Sequence, residues 1–331
     1  MTDRSMAIAV LCSHLCTGNG IVPLEPKEYS DFAALLDRRG FAPESLLSFS
    51  RDDYLQQLEV NEQQAERLLR LIDRSASLSF EISRYENMGI VLVTRADAHY
   101  PDKLKKKLKN ACPPLFYVVG DIALLRNEAI GYVGSRSVGD SDIAFTQATV
   151  RKTVDAGYAV VSGGAKGTDS VAEEAALING GVSIAFLSDS LLRKLRNAQT
   201  NYAVQQGRLL LLSVVNPDAG FNVGVAMMRN KYIYAQSEAT IVVKADYNKG
   251  GTWAGAVENL SKHYALTLCW DHPSYPGNKA LIEKGAIPID EDWDGDIRRL
   301  SLPEVSDLKE NGTESGSPEA NVQMSLFDTI G

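Results

Sequence analysis

Several features that identify common protein classes are scarce in this 331-residue chain. The only cysteines are Cys12, Cys16, Cys112 and Cys269, and no pair of them has zinc-ribbon spacing. The four histidines follow no metal-site or triad pattern, and a buried helix explains the group Cys12, His14 and Cys16 better than a metal cluster does. No apolar run approaches the roughly 18 residues of a membrane span, and the short apolar stretch 6–16 lacks a basic start. We therefore expect a reduced, cytoplasmic protein without membrane segment, metal or cofactor.

Motifs of the common nucleotide-dependent enzymes and hydrolases are also missing. The chain has no Gly-x-x-x-x-Gly-Lys-Ser/Thr and no Gly-x-Gly-x-x-Gly, which disfavours a P-loop NTPase and a dinucleotide-dependent dehydrogenase. Ser162 is not part of a Gly-x-Ser-x-Gly elbow. We find no catalytic constellation and expect a protein that is not an enzyme.

An excess of basic charge is absent as well. The net charge is −8, which argues against a non-specific polyanion binder. Residues 302–331 carry six acids and one base, so most of the excess lies in this tail. The body also holds a dense basic run, at Lys103, Lys105, Lys106, Lys107 and Lys109. A local phosphate-binding surface is compatible with this distribution.

Three segments differ in their patterning. Residues 1–85 show helical spacing, as at Tyr29, Phe32 and Leu36, which predicts a small helical domain. Residues 86–301 alternate short β-branched runs with amphipathic segments, which predicts an α/β, Rossmann-like, mostly parallel sheet with helices on both faces. Residues 302–331 are rich in acidic and small polar residues, which predicts a disordered tail.

Short apolar runs mark the strands of the predicted sheet. They are Ile90–Thr94, Ala129–Val133, Ala159–Ser162, Val182–Leu187, Leu209–Val215, Ala239–Val243 and Ala265–Trp270. The ligand site of such a sheet lies outside the carboxyl ends of its strands.

Glycine-rich loops follow three of these runs. They are Gly134-Ser135-Arg136, then Ser162-Gly163-Gly164-Ala165-Lys166-Gly167-Thr168-Asp169, and Lys249-Gly250-Gly251-Thr252-Trp253. Glycines at such turns let backbone N–H groups approach an anion, and the following helix adds the positive end of its dipole. Arg136 and Lys166 supply formal charge. Pure turn chemistry is the alternative, but three loops at one sheet edge favour phosphate binding.

A further cluster combines an aromatic side chain with cations. Phe221 precedes Arg229, Asn230 and Lys231. Arg229 and Lys231 can meet phosphates, and Phe221 can stack on a base. Core packing of Phe221, or capping and ion pairing by Arg229 and Asn230, are the alternatives.

Several short motifs lie along the predicted elements. They are Tyr100-Pro101-x-x-Leu104, Pro113–Tyr117 with Gly120, Tyr132–Arg136, Val161–Asp169, Phe221 with Arg229–Lys231, Pro276–Ile282, and Gly285-Ala286. In this combination the chain resembles the DNA-processing protein A (DprA/Smf) family, across roughly residues 1 to 290. The resemblance implies a Rossmann-like domain behind a sterile-alpha-like helical domain. It also implies single-stranded DNA binding, a homodimer, and loading of a RecA-type recombinase in natural transformation. The DNA contacts it implies are Arg136, Ser162, Gly163, Gly164, Lys166, Arg229 and Lys231.

The sequence departs from the family pattern at several positions. Ala172-Glu173 replaces Ala-His, Ser213-Val214 replaces Ser-Glu, Asn222 replaces a proline, and Lys249–Thr252 replaces Ser-Gly-Ser/Thr. We also expect no C-terminal winged helix in the remaining tail. These departures suggest a divergent branch, of the kind that acts in phage defence or as an antitoxin against a phosphoribosyltransferase-like toxin.

The tail ends in a motif of its own. Gln323-Met324-Ser325-Leu326-Phe327 looks like the bacterial sliding-clamp-binding pentapeptide. In such a peptide Leu326 and Phe327 fill an apolar pocket, while Gln323 and Ser325 occupy the other near-fixed positions. The alternative is a strand or plug that folds back on the body. We favour the sliding clamp as a partner.

Two other functions use the same loops. Gly250-Gly251-Thr252 with Gly255 and Glu258 is reminiscent of the loop of nucleotide phosphoribohydrolases, in which Glu258 acts on a ribosyl bond. The second alternative is a nucleotide sensor, which binds a nucleotide through these loops but does not catalyse a reaction.

Overall fold

Five α-helices precede the first strand in the computed structural model, which describes residues 1–18 and 20–300. They are α1 Asp3–Cys12, α2 Pro26–Arg38, α3 Arg51–Gln56, α4 Glu62–Asp73 and α5 Ser75–Glu86. Local sequence fixes their starts. The Asn61 side chain accepts a hydrogen bond from the Gln64 N–H at 2.8 Å, so it caps α4.

Nine strands then form one sheet. They are β1 Val91–Thr94, β2 Leu115–Val119, β3 Ala129–Val133, β4 Ala159–Ser162, β5 Ser183–Leu187, β6 Leu209–Ser213, β7 Ala239–Val242, β8 Leu266–Trp270 and β9 Ile287–Ile289. Their order is β1-β2-β6-β5-β4-β3-β7-β8-β9. Among the strands of the described residues, only the β1–β2 and β2–β6 pairs are antiparallel, so the predicted mostly parallel sheet is confirmed.

Helices connect the strands of the sheet. They are α6 Asp102–Leu108, α7 Asp140–Asp155, α8 Thr168–Ile178, α9 Leu191–Leu195, α10 Ala198–Gln205, α11 Val223–Gln236, α12 Gly250–Lys262 and α13 Pro276–Glu283. Two of them begin within the predicted glycine-rich loops. Gly167 and Gly250 have φ of +84° and +77°, which reverses the chain directly into α8 and α12. Thr168-Asp169 and Gly251–Trp253, predicted as loop, are therefore first helical turns.

The N-terminal helices pack against one face of the sheet. One buried cluster joins Leu11, Leu36 and Leu71 of the helices to Leu115 and Leu211 of the strands. The hydroxyl groups of Ser13 and Tyr117 lie 2.8 Å apart within this core. Residues 1–296 accordingly form one compact unit. The domain boundaries at 85/86 and 301/302 stay predictions.

None of the helices described here is both long and apolar enough to cross a membrane. The predicted clamp-binding segment 323–327 lies outside the described residues.

Candidate nucleic-acid interface

A cavity of about 660 Å³ opens at the carboxyl ends of β3, β4 and β7. It contains most of the residues predicted from the glycine loops and the Phe221 cluster, namely Gly134, Ser135, Arg136, Lys166, Phe221, Arg229, Asn230, Lys249, Gly250, Gly251 and Thr252. The structure thus brings together four segments that lie up to 118 residues apart in the chain. This position is where ligands bind in open α/β sheets.

Hydrogen bonds between the loops fix the shape of the cavity. The Thr252 hydroxyl donates to the Gly134 carbonyl at 2.9 Å, and the Asn230 amide donates to the Gly251 carbonyl at 3.0 Å. Gly134 must lack a side chain, because a Cβ there would lie 2.2 Å from the Thr168 hydroxyl. The β3 loop, α11 and α12 therefore hold one another in place.

Arg229 lies within the wall of the cavity. Its side chain is 4% exposed, and its Nη1 lies 3.5 Å from Asp169 Oδ2. Burial lowers the pKa of Arg229, and attraction to Asp169 opposes that effect. Its Nε is buried and has no hydrogen-bond partner among the described residues. One donor of this buried guanidinium is thus left unsatisfied by the part of the chain that the structure describes.

Three further cations of the cavity are exposed, which suits them to meet an anion from solvent. They are Arg136 from the β3 loop, Lys166 from the β4 loop and Lys249 at the start of α12. Within residues 1–18 and 20–300, no side chain caps the N-terminus of α12 at Lys249. The first-turn N–H groups and the dipole of α12 add to the positive potential there.

Apolar surface lies beside these cations. Phe221 is 45% exposed, and the Arg136 guanidinium carbon lies 4.7 Å from the centroid of its ring. Val223 and Met227 are exposed next to it, and all of them line the cavity. The core-packing alternative for Phe221 is therefore wrong.

Five predicted residues do not line the cavity. Gly163, Gly164 and Gly167 are too close to neighbouring atoms to carry a side chain, and Ser162 is buried and accepts a bond from the Gly164 N–H at 3.3 Å. Lys231 is half-buried on α11, and burial lowers its pKa. In the described structure Ser162 and the three glycines shape the loop after β4, and none of the five residues is part of the cavity surface.

Sequence reasoning did not assign three other residues of the cavity to the site, although two of them belong to the glycine-rich loops. Asp169 is the partner of Arg229, Trp253 forms part of the wall, and Lys244 follows β7 by two residues. Lys244 had a usable signal, because it comes next after a predicted strand and so lies at the carboxyl edge. The pairing of Asp169 with Arg229 had none, because 60 residues separate them.

The basic run lies elsewhere. The ammonium groups of Lys103 and Lys107 donate to the Asn127 and Ser237 carbonyls at 2.9 and 2.8 Å. Those carbonyls precede β3 and β7, at the edge of the sheet opposite the cavity. The run therefore contributes no charge to this site.

Glu258, the catalytic residue of the ribohydrolase alternative, also lies outside the cavity lining. Its carboxylate is 3.5 Å from the Tyr264 hydroxyl near the end of α12. Among residues 1–18 and 20–300, no three His, Cys, Asp or Glu side chains are grouped as metal ligands.

Comparison with known proteins gives one family. Residues 91–295 match the model of the family described as DNA recombination-mediator protein A. The chain is 28% identical over 244 residues to Protein Smf of Escherichia coli (strain K12), covering 72% of this chain and 63% of Smf. It is 25% identical over 227 residues to DNA processing protein DprA of Bacillus subtilis (strain 168), covering 67% and 75%. The chain therefore spans less than two thirds of Smf.

Two solved structures are similar. DNA processing protein A from Streptococcus pneumoniae superposes with a TM-score of 0.67 at 19% identity, over 87% of this chain and 95% of that one. This likeness concerns the fold. DNA processing protein A from Helicobacter pylori, whose structure is described as showing a single-stranded DNA binding mode, gives a TM-score of 0.50 at 26% identity, over 60% and 90%.

Proposed function

The chain belongs to the DNA recombination-mediator protein A family, and from that membership we propose that its cavity binds the phosphate backbone of single-stranded DNA. The observation that carries the proposal is the convergence of Arg136, Lys166 and Lys249 from three loops on one concave surface. Arginine and lysine neutralise backbone phosphates, and this electrostatic attraction supplies most of the non-specific affinity for nucleic acid. The single-stranded DNA binding described for the Helicobacter pylori protein supports the same class of ligand.

An exposed aromatic ring favours a single strand over a duplex. Phe221 is available to solvent beside Arg136. A base can stack on such a ring only when it has left its own base stack, as bases in single strands do. A duplex offers the cations its phosphates but offers Phe221 nothing to stack on.

In this proposal the cavity binds its ligand and catalyses no reaction. The acidic residues that line the cavity are Asp169, which pairs with Arg229, and Asp246. Because Glu258 lies elsewhere, the ribohydrolase alternative lacks the residue that it requires. We therefore propose a binding protein that is not an enzyme.

A nucleotide sensor is the second candidate, and the size of the cavity favours it. About 660 Å³ is within the range of small-molecule sites, so a mononucleotide fits. Competition separates the two candidates. A mononucleotide that displaces an oligonucleotide at equal phosphate concentration supports the sensor.

The partners we propose follow from the family and from the tail. A homodimer and a RecA-type recombinase suit a recombination mediator, and a sliding clamp suits the segment 323–327. Roles in phage defence, or in neutralising a phosphoribosyltransferase-like toxin, rest on the sequence departures and stay predictions.

Fluorescence anisotropy with labelled oligo(dT), a matched duplex and thymidine monophosphate as competitor tests the proposal. We expect tight binding of oligo(dT) and weaker binding of the duplex. Both affinities should decrease strongly as the salt concentration rises. No binding of oligo(dT) at low ionic strength, together with saturable binding of the monophosphate, would contradict it.

A further inference from the structure

Lys244 is a cation of the cavity that the glycine loops do not supply. It follows β7 by two residues and its side chain is 28% exposed. It lines the same cavity as Arg136 and Lys166.

Side chains from two other elements hold the ammonium group. Lys244 Nζ lies 3.3 Å from Asp142 Oδ2 on α7 and 5.0 Å from the ring centroid of Tyr275, which follows β8. Asp142 is almost fully buried, and its other oxygen accepts from the Tyr275 hydroxyl at 2.5 Å. The Gly139 N–H donates to the same carboxylate at 2.8 Å. The charge of Asp142 is thus shared among three donors, and a lysine ammonium has two further protons to give.

The backbone around Lys244 is held as well. The Asn278 side chain accepts from the Ala245 N–H and donates to the Val243 and Trp270 carbonyls, each at 2.9 Å. Gly277 allows this approach, because a Cβ there would lie 2.0 Å from the Ala245 carbonyl oxygen. The residues on both sides of Lys244 are therefore fixed, which explains the Pro276-Gly277-Asn278 motif in physical terms.

The cations spread across the sheet edge. Lys166 follows β4, Arg136 follows β3 and Lys244 follows β7, and these are consecutive strands. At about 4.8 Å per strand, the outer two arise about 10 Å apart. Asp142 on α7 and Tyr275 after β8 hold the Lys244 ammonium group. Because it is held there, this group is not free to extend toward a phosphate beside Lys166.

We propose that Lys244 forms a second phosphate subsite, so that the cavity takes two phosphates of one strand. The inference rests on the proposed function and specifies its ligand as a strand segment rather than one phosphate. Asp142, Tyr275 and Asn278 are positioning residues, because they act through Lys244.

The test is the salt dependence of oligo(dT) binding by the full chain. Lys244→Gln removes the charge but can still donate to Asp142. We expect the slope of log association constant against log salt to become shallower by about 0.7, the value for one single-strand phosphate. Lys244→Arg should restore the slope. Lys262→Gln, at the exposed far end of α12, should leave it unchanged. The Asp142→Asn, Lys244→Gln double variant removes both charges and provides a second test if the single variant does not fold.

Separate outcomes distinguish the two proposals. An unchanged slope in Lys244→Gln, while Arg136→Ala makes it shallower, overturns the subsite and leaves the proposed function intact. Unchanged slopes in both variants overturn the proposed function.

Repeating the titration with 5′-phosphorylated and 5′-hydroxyl oligo(dT) identifies the source of the phosphate. If Lys244 binds a terminal phosphate, Lys244→Gln should change the slope only with the 5′-phosphorylated oligonucleotide. If it binds an internal phosphate, the slope should change equally with both oligonucleotides.

Discussion

The Arg229 guanidinium occupies the space that a side chain at residue 163 would need. A Cβ built on Gly163 would lie 1.3 Å from Arg229 Nη1, and the same nitrogen lies 3.5 Å from Asp169 Oδ2. Burial raises the pKa of Asp169, and attraction to Arg229 opposes this only in part. The first glycine after β4 therefore makes room for the buried ion pair in the cavity wall.

Substitution of Gly163 should displace this pair. In Gly163→Ala we expect a loss of about 1–3 kcal/mol in the free energy of unfolding, because the new methyl group overpacks the site. Oligo(dT) binding should weaken as well, because Arg229 moves. Urea unfolding and anisotropy measure the two effects. Gly18→Ala is the control, because a Cβ there meets nothing within 4 Å. Equal stability of the two variants would refute the packing argument.

Loss of the exposed ring at the cavity should weaken binding without changing its salt dependence. In Phe221→Ala we expect a loss of about 1–3 kcal/mol in the free energy of oligo(dT) binding, the range for one stacked base. The slope against salt should stay the same, since no charge is removed. Phe80→Ala is the matched control, because Phe80 is 71% exposed on α5. Equal affinity of both variants would show that Phe221 contacts no base.

The hydrogen bonds that Asp142 accepts beside Lys244 should make the free energy of unfolding depend on pH. Burial alone raises the pKa of Asp142, but hydrogen bonds from Tyr275, Gly139 and Lys244 outweigh it and hold the pKa below the ordinary 3.8. A carboxylate with a lowered folded-state pKa stabilises the fold above its unfolded-state pKa, and this contribution is lost as the pH falls through the folded-state pKa.

Asp142→Asn should therefore be less stable than the wild type near neutral pH, by about 1–3 kcal/mol. The difference should shrink as the pH falls below about 4. Urea unfolding across this pH range measures it, with Asp140→Asn, an exposed neighbour in the same helical turn, as the control. A difference that does not vary with pH would mean that the charge of Asp142 plays no part.

The tail makes a separate prediction. Leu326→Ala with Phe327→Ala should abolish association with a bacterial sliding clamp, because the two side chains that fill the apolar pocket are lost. Oligo(dT) binding should be unchanged. Surface plasmon resonance on immobilised clamp checks the first effect, and anisotropy checks the second. Clamp association that persists in the double variant would eliminate the proposed anchor.

Strands with strong local patterns could be predicted from the sequence. Ala129–Val133 and Ala159–Ser162 match β3 and β4 residue for residue, because short, mostly apolar runs that contain β-branched residues and are followed by a glycine favour buried parallel strands. The strands β2 and β9 were missed. Leu115–Val119 follows two prolines, and its antiparallel place between β1 and β6 is set by tertiary pairing. Ile287–Ile289 has three residues and contains a proline, so it is too short for a pattern.

Prediction of the site from sequence succeeded where glycines and cations follow strands, as at Arg136 and Lys249. It could not distinguish glycines that face a ligand from those that make room for the protein. Gly163 and Gly167 have neighbouring protein atoms where a side chain would be, and only coordinates show this. The positions of Lys231 and Glu258 likewise depend on helix rotation, which short motifs do not specify.

The central claim is that the cavity neutralises phosphates of a single strand, and the salt dependence of binding tests it most directly. Arg136→Ala with Lys166→Ala removes two exposed cations from different loops. The account predicts weaker oligo(dT) binding and a slope that is shallower by about 1.4, which corresponds to two phosphate contacts. A double variant with the affinity and the slope of the wild type would contradict it.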